Sequence, residues 1–184
     1  MKILIACEES GRVRDAFLAR GHDAVSCDVL PSSSPGPHRQ GDVEAILDEG
    51  WDLMIGFPPC TDLAVSGALH FAAKRADGRQ QVAERFFLAL AAAPIPCIAI
   101  ENPVGIMSTR WRKPDQIIQP YQFGDPWRKT TCLWLKGLPP LVPTCVVEHN
   151  PRMQGWHGTL GPERQRLRSQ TYPGIARAMA EQWG

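Results

Sequence analysis

Short apolar runs alternate with amphipathic segments along most of the chain. Short apolar runs predict buried strands, whereas apolar positions spaced three and four residues apart predict helices. Strands are predicted over residues 3–7, 23–28, 51–56, 97–100, 116–123 and 130–135. Helices are predicted over residues 11–20, 42–49, 79–93 and 172–183. Residues 64–78 are ambiguous, and a helix with a polar tip is one interpretation.

This order of elements predicts the fold class. Strands that alternate with helices at this spacing favour an α/β fold with a doubly wound, mostly parallel sheet of the Rossmann-like kind. No convincing helix separates the last two predicted strands, which permits an antiparallel pair at one edge. A length of 184 residues suits a single domain over residues 1–184 with a sizeable core.

Two segments are too rich in proline, serine and glycine for regular structure. Residues 31–37 (Pro-Ser-Ser-Ser-Pro-Gly-Pro) form a predicted loop that is too short for a domain linker. It lies where we expect a mobile active-site loop. Residues 137–171 are predicted to be irregular, and the helix over 172–183 then closes the chain.

The composition is that of an ordinary soluble globular protein, with 43% hydrophobic and 21% charged residues. No apolar run approaches the roughly 18 residues that a bilayer requires, and the chain enters a strand directly, which leaves no room for a signal peptide. The six cysteines form no CxxC pair, and four of them lie in strand-like runs. We therefore expect free thiols, a cytoplasmic location and no membrane partner.

The charges are unevenly distributed although the net charge is only +1. Residues 1–100 carry 9 Lys and Arg against 13 Asp and Glu, whereas residues 101–184 carry 11 against 6. The second half therefore suits a polyanionic partner better than the first, a weak indication of nucleic-acid binding.

The segment Gly-Phe-Pro-Pro-Cys at residues 56–60 is the most informative motif of the chain. It follows a buried strand, and its prolines restrict the backbone so that Cys60 stands at the carboxyl end of the strand, where open α/β sheets bind their ligands. Glu101, Asn102 and Pro103 follow the next strand and place a carboxylate at the same edge. A thiol beside an acid predicts covalent chemistry on an electrophilic ring, with a packed cysteine and a capping carboxylate as the structural alternatives.

In their order along the chain, these motifs resemble those of a DNA (cytosine-5)-methyltransferase of the small type that bacteriophages often carry. In that family a Pro-Cys motif carries the nucleophile and a Glu-Asn-Val motif carries an acid. Residues 123–129 (Phe-Gly-Asp-Pro-Trp-Arg-Lys) are similar to a later family motif, and residues 168–175 resemble the last one. The resemblance spans nearly the whole chain and implies a single methyltransferase-like domain.

This resemblance implies transfer of a methyl group from S-adenosylmethionine to C5 of a cytosine in DNA, flipped out of the duplex so that C6 becomes accessible. Cys60 would add to C6 as a thiolate, and Glu101 would hold or donate a proton at N3. Donor binding is expected from Glu8, Gly11, Asp28, Asp42 and Phe57, and substrate binding from Pro59, Asn102, Arg128, Lys129 and Arg168.

Several of these residues have a structural alternative. Asp28 ends the second predicted strand. In these folds an acid at this position binds the ribose hydroxyls of nucleotide-type cofactors. Asp42 resembles the family acid that binds the adenine amino group, and it is equally well placed as a helix N-cap. Phe57 is either a border of the donor site or a core aromatic. Arg128 and Lys129 contact phosphate or the cytosine carbonyl, or are simply solvated.

The chain also departs from the family pattern. The glycine-rich first motif is reduced to Glu8-Glu9-Ser10-Gly11, Thr61 stands where glutamine is usual, and Lys129 and Thr131 replace paired arginines. The target-recognition region is nearly absent, with about 30 residues from 137 to 168. A homodimer or a separate DNA-reading partner would compensate for this loss.

Three alternative functions remain open on the sequence. One is a relic that binds donor or DNA without catalysis, as a subunit or an anti-restriction factor. Another is an enzyme that modifies free cytosine nucleotides. Methylation of an amino group is less favoured, because its Pro-Pro motifs normally end in an aromatic residue and this chain has Cys60. No metal site is expected, since Cys145, His149 and His157 lack the spacing of a structural zinc site.

Overall fold

The computed structural model describes residues 1–148 and 167–184. Its strands are β1 (Lys2–Ala6), β2 (Asp23–Asp28), β3 (His38–Gln40), β4 (Leu53–Gly56), β5 (Cys97–Pro103), β6 (Gln116–Ile118) and β7 (Thr131–Lys136). Its helices are α1 (Arg12–Leu18), α2 (Phe71–Ala76), α3 (Arg79–Ala91), α4 (Met107–Arg110) and α5 (Pro173–Trp183). Short 3-10 helices cover Val43–Ile46, Val65–His70 and Pro120–Gln122. Residues 167–169 are also helical.

Within the described residues the strands form a seven-stranded sheet in the order β3-β2-β1-β4-β5-β7-β6. The pairs β1–β2, β1–β4, β2–β3 and β4–β5 are parallel, and β7 is antiparallel to both of its neighbours. The predicted fold class is thereby confirmed, including the antiparallel pairing at one edge.

Each face of the sheet carries its own core. Alternate residues of β1 point to opposite faces, as the period of a strand requires. Ile3 and Ile5 belong to one cluster, which includes residues of α1 and α5. Leu4 and Ala6 belong to the other, which includes residues of α3 and α4. Both faces of the sheet are therefore covered, as in a doubly wound fold.

The structure differs from the sequence prediction in a few elements. The three-residue edge strand β3 was not predicted, because its polar sequence His-Arg-Gln has no apolar pattern. The helix predicted over 42–49 is a 3-10 helix, Val43–Ile46. The strand predicted over 116–123 ends at Ile118, since Pro120 has no N–H for a ladder and begins a 3-10 helix. The helix at 167–169 lies in a segment that was predicted to be irregular.

The serine-rich loop at residues 31–37 is held by a buried arginine. The Arg14 guanidinium donates to Ser32 Oγ at 3.2 Å, to Ser34 Oγ at 2.7 Å and to the Pro35 carbonyl at 2.8 Å. Its side chain is fully buried. Gly11 has a φ of 72°, and a β-carbon there would overlap Ser34 Oγ and Arg14 Nη2. These contacts favour a fixed loop, whereas the sequence predicted a mobile one. They also give Gly11 a structural role in addition to the predicted role in donor binding.

No helix within residues 1–148 and 167–184 combines the length and the apolar character needed to cross a membrane.

Candidate active site

The carboxyl ends of β4 and β5 bring the two predicted catalytic residues to one edge of the sheet. The strands are parallel and neighbouring, with Gly56 opposite Ile100. Glu101 is the next residue of β5, and Cys60 follows β4 after Phe57 and two prolines. Glu101 is close enough to the Cys60 thiol for its charge to raise the pKa of that thiol.

Hydrogen bonds join the segment that follows β4 to the segment that follows β5. Val65 N donates to the Val104 carbonyl at 3.0 Å, and Ile106 N donates to the Leu63 carbonyl at 2.9 Å. A β-carbon at Gly105 would lie 2.5 Å from the Leu63 carbonyl oxygen, so only glycine permits this approach. The cysteine turn is therefore fastened to the segment that carries Glu101.

Asn102 contributes a side-chain bond to the same joint. Its Nδ2 donates to the Pro58 carbonyl at 2.9 Å, and the residue is only 2% exposed. Pro59, the other predicted substrate contact on these two segments, is exposed. The placement of Asn102 favours a role in positioning the Pro-Pro-Cys turn over the direct substrate contact that the sequence predicted, whereas Pro59 remains accessible to a ligand.

Cys60 occupies a tight turn and is solvent-exposed. Its carbonyl accepts hydrogen bonds from Leu63 N at 3.0 Å and from Ala64 N at 2.9 Å. Partial desolvation raises the pKa of its thiol, and the Glu101 carboxylate raises it further. The positive charges of Lys129 and Arg168 act in the opposite direction. Formation of a thiolate at this position therefore depends on the cations that surround it.

Glu101 is half-buried in a setting that favours the neutral acid. Burial raises the pKa of its carboxyl, while Lys129 and a hydrogen bond with the Thr131 side chain lower it. Thr131 is buried and begins β7, where it lies opposite Pro103 in the antiparallel ladder. A carboxyl with a raised pKa suits a group that holds or donates a proton.

Lys129 links the loop before β7 to the C-terminal segment. Its Nζ donates to the Arg168 carbonyl at 3.0 Å, and its main-chain N donates to Gln119 Oε1 at 3.1 Å. Lys129 and Arg168 are thus near enough to Cys60 for both charges to lower the pKa of its thiol. Arg128 is exposed on the same loop.

A small pocket adjoins this edge between the reduced glycine-rich segment and the C-terminal segment. It is lined by Glu8, Glu9, Ser10, Phe57, Ser169, Gln170 and Thr171. Arg12 Nη1 donates to the Thr171 carbonyl at 3.2 Å and so ties the two segments together. The Gln170 side chain is 9% exposed, and within the described residues its Oε1 has no hydrogen-bond partner. A buried carbonyl oxygen of this kind is available to a ligand donor.

Glu8 serves the neighbouring helix. It is 5% exposed, and its carboxylate accepts from Val13 N at 2.8 Å and from Arg14 N at 3.2 Å, which caps the start of α1. Burial raises the pKa of the Glu8 carboxyl, and these bonds oppose the shift. The sequence analysis predicted that Glu8 contacts the donor, and it did not predict this role in helix capping.

Asp28 and Asp42 flank the same end of the sheet. Asp28 Oδ1 accepts from Leu30 N at 2.9 Å, and both burial and the Glu9 carboxylate raise its pKa. Asp42 Oδ1 accepts from Glu44 N at 3.0 Å, so Asp42 is the N-cap that its sequence context allowed. The nearby negative charges of Asp28 and Glu9 make this region favourable for a cationic ligand.

The sequence analysis did not identify three buried, hydrogen-bonded side chains near the catalytic edge. They are those of Lys74, Gln80 and Thr131. Lys74 is 6% exposed and Gln80 is 1% exposed. Neither sequence segment distinguishes these side chains from solvated polar residues. The one available signal was that Lys74 interrupts an alanine-rich segment.

Within residues 1–148 and 167–184, no cluster of three His, Cys, Asp or Glu side chains could hold a metal ion. Cys145 is exposed, and His149 and His157 lie outside the described residues.

Comparison with known proteins supports the fold. No protein-family model and no curated protein matches the sequence. Among solved structures, the chain is similar to a prophage-encoded protein of Escherichia coli described as a candidate DNA modification methyltransferase, with a TM-score of 0.53 and 16% identity. The match covers 79% of this chain and 51% of that protein, so this chain spans about half the length of its neighbour. The likeness shows that the chain has the mostly parallel α/β fold of that methyltransferase neighbour.

Proposed function

We propose that this protein transfers a methyl group from S-adenosylmethionine to C5 of cytosine in DNA through a covalent bond to Cys60. It would thus be a reduced relative of the DNA (cytosine-5)-methyltransferases. The observation that carries the proposal is the placement of Cys60 and Glu101 at the ends of neighbouring parallel strands, with Lys129 and Arg168 acting on the same thiol. The fold shared with a methyltransferase neighbour is consistent with this chemistry.

In this proposal Cys60 Sγ adds as a thiolate to C6 of the cytosine and forms a carbon–sulfur bond. The electron pair displaced from the C5–C6 bond makes C5 nucleophilic, while the proton held by Glu101 neutralises the charge that develops at N3. C5 would then take the methyl group, and the sulfur of the donor would leave as a neutral thioether. Loss of the C5 proton to water, return of the N3 proton to Glu101 and departure of the Cys60 thiolate would restore the aromatic ring.

The protonation states of the two groups support each other. The Glu101 carboxylate raises the pKa of the Cys60 thiol, so a protonated Glu101 removes that obstacle to thiolate formation. Burial favours this neutral form of Glu101. Lys129 and Arg168 then stabilise the thiolate, since both lower the pKa of Cys60. The charge of Glu101 therefore bears directly on how readily Cys60 ionises.

The residues near the pocket fit a cationic methyl donor. Asp28 and Glu9 supply negative charge, and Gln170 Oε1, which has no hydrogen-bond partner among residues 1–148 and 167–184, is an acceptor for an ammonium group. Phe57 offers an apolar border. When bound, S-adenosylmethionine supplies an electrophilic methyl group carried by a sulfonium. Asp28, Asp42 and Phe57 are the residues that we expect to hold it, with Gly11 allowing close approach of the backbone.

DNA is the expected substrate, and the base would have to leave the duplex to reach Cys60. Arg128, Lys129 and Arg168 are the basic residues that would meet its phosphates or the cytosine carbonyl. Because only about 30 residues, from 137 to 168, stand where the family has its target-recognition region, a second copy or a separate DNA-reading partner would supply sequence recognition.

The proposal is tested by incubating the protein with labelled donor and with duplex DNA that contains 5-fluorocytosine. Fluorine at C5 cannot leave as a proton does, so the covalent adduct should accumulate and map to the Cys60 peptide by mass spectrometry. The variant Cys60→Ala should form none. Cys145→Ser is the matched control, since Cys145 is also an exposed free thiol, and it should form the adduct normally. A folded wild-type protein that forms no adduct would refute the covalent mechanism.

The same experiment separates the alternatives. A catalytically silent relic would bind the donor, as calorimetry would show, without labelling any base. An enzyme for free nucleotides would form the adduct with 5-fluoro-dCMP in preference to duplex or single-stranded DNA.

A further inference from the structure

A lysine is buried against the cysteine turn and has no part in the proposed chemistry. Lys74 belongs to α2, and the residue is only 6% exposed. Burying an ammonium group is costly unless its donors are bonded and its charge is balanced. The contacts of Lys74 therefore indicate what this position supports.

Both contacts of Lys74 fall on the two residues that follow the nucleophile. Its Nζ donates to the Thr61 carbonyl and lies 3.2 Å from Asp62 Oδ1. Gln80, at the start of α3 and 1% exposed, donates from Nε2 to the Asp62 carbonyl at 3.2 Å. Two helices thus hold consecutive main-chain carbonyls of the cysteine turn through buried side chains.

Cys60 lies between two anchors as a result. On its N-terminal side, Asn102 holds the Pro58 carbonyl. On its C-terminal side, Lys74 and Gln80 hold Thr61 and Asp62. The strand β4 ends at Gly56, so strand geometry alone does not place a side chain four residues later.

We propose that Lys74 is a positioning residue that, together with Gln80, holds the turn after Cys60 so that the thiol faces Glu101. The catalytic consequence rests on the proposed function, whereas the effect on the turn does not. A displacement of about 1 Å in a reacting group costs on the order of 100-fold in rate. Loss of the lysine should therefore affect the covalent step more than the binding of donor.

The first measurement is hydrogen exchange of the turn, which requires no activity. Leu63 and Ala64 donate to the Cys60 carbonyl, so their amides report on the turn. In Lys74→Met these amides should exchange at least about tenfold faster, while amides of β5 keep their wild-type rates. Equal exchange in the variant and the wild type would overturn the proposal.

The second measurement is the rate of adduct formation with 5-fluorocytosine DNA at saturating donor. We expect Lys74→Met to slow this step by about 10- to 100-fold, with the half-saturating donor concentration within about twofold of wild type. Lys74→Arg should recover part of the rate, because it keeps a buried cation near Asp62. An unchanged rate in a variant with a loosened turn would refute the catalytic part.

Control variants separate positioning from general destabilisation. Lys136 also donates to a main-chain carbonyl, that of Ala93 at 3.1 Å, but it lies opposite Ile98 at the other end of β5. Lys136→Met should alter neither the turn nor the rate. Should Lys74→Met fail to fold, Gln80→Met tests the second anchor with little change in volume, and it should loosen the same amides. If wild-type protein forms no adduct, the proposed function fails, and exchange alone still decides the role of Lys74.

Discussion

The side chain of Asn102 donates a hydrogen bond to the Pro58 carbonyl across 2.9 Å, from the strand end that carries Glu101 to the turn that carries Cys60. This bond joins segments that are 44 residues apart in sequence. It is buried, so water does not compete for either group. This bond therefore joins the segments of the two catalytic candidates.

Removing this bond should destabilise the protein and loosen the turn. We expect Asn102→Ala to lower the free energy of unfolding by about 1–3 kcal/mol, because the buried Pro58 carbonyl loses its donor. Urea denaturation measures the change. Thr109→Ala, which removes an exposed bond to the Ile106 carbonyl nearby, is the control and should cost less than about 0.5 kcal/mol. Similar costs for the two variants would contradict the assigned role of Asn102.

The half-buried Glu101 should make the stability of the protein depend on pH in a defined direction. Its pKa is raised above the ordinary value of 4.5, so the folded state holds the proton more tightly than the unfolded state. Wild-type protein should therefore lose stability, relative to Glu101→Gln, as the pH rises from the unfolded pKa through the folded one. The difference should then level off. Urea denaturation between about pH 4 and pH 8 measures the free energy of unfolding of both proteins. A wild-type protein that gains stability relative to Glu101→Gln as the pH rises would contradict this account.

Lys129 should control how readily Cys60 ionises. Its charge lowers the pKa of the thiol, and Lys129→Met removes that charge and the bond to the Arg168 carbonyl. We expect the pH profile of Cys60 alkylation by iodoacetamide to move to higher pH in this variant. Lys136→Met, a lysine distant from the thiol, should leave the profile where it is. An unmoved profile in Lys129→Met would show that other groups set the pKa of Cys60.

Arg14 should be essential for the conformation of the serine-rich loop. It is fully buried and donates to Ser32, Ser34 and the Pro35 carbonyl, so a lysine cannot replace its several donors. We expect Arg14→Lys to cost about 1.5–3 kcal/mol of stability and to expose residues 31–37 to proteases. Arg20→Lys, at an exposed position, should do neither. Unchanged proteolysis in Arg14→Lys would mean that the loop is held by other contacts.

Much of the fold could be predicted from the sequence, because the spacing of apolar residues reflects the buried side of each strand and helix. The runs at β1, β2, β4 and β5 and the helix α3 were predicted with small errors at their ends. The strand β3 was not, since it is a polar edge strand that pairs with β2 through its backbone alone. Residues 64–78 were ambiguous because their alanines favour a helix without defining a buried face.

The roles of polar residues were harder to predict than their positions. The convergence of Cys60 and Glu101 followed from topology, since neighbouring parallel strands end at one edge of a sheet. By contrast, Glu8 caps α1, Arg14 holds a loop and Lys74 lies beneath the cysteine turn. Sequence patterns do not reveal such roles, because they depend on which partners the fold places beside each side chain.

The sequence by itself determined the order of strands and helices, the strand ends that carry Cys60 and Glu101, and the kind of chemistry that a thiol and an acid allow there. Only the tertiary structure decided which cations act on the thiol, which carboxylate caps a helix and which side chains hold the cysteine turn. The physical reason is the range of the interactions. Apolar periodicity is local in the chain, whereas hydrogen bonds and charges act between groups that the fold brings together.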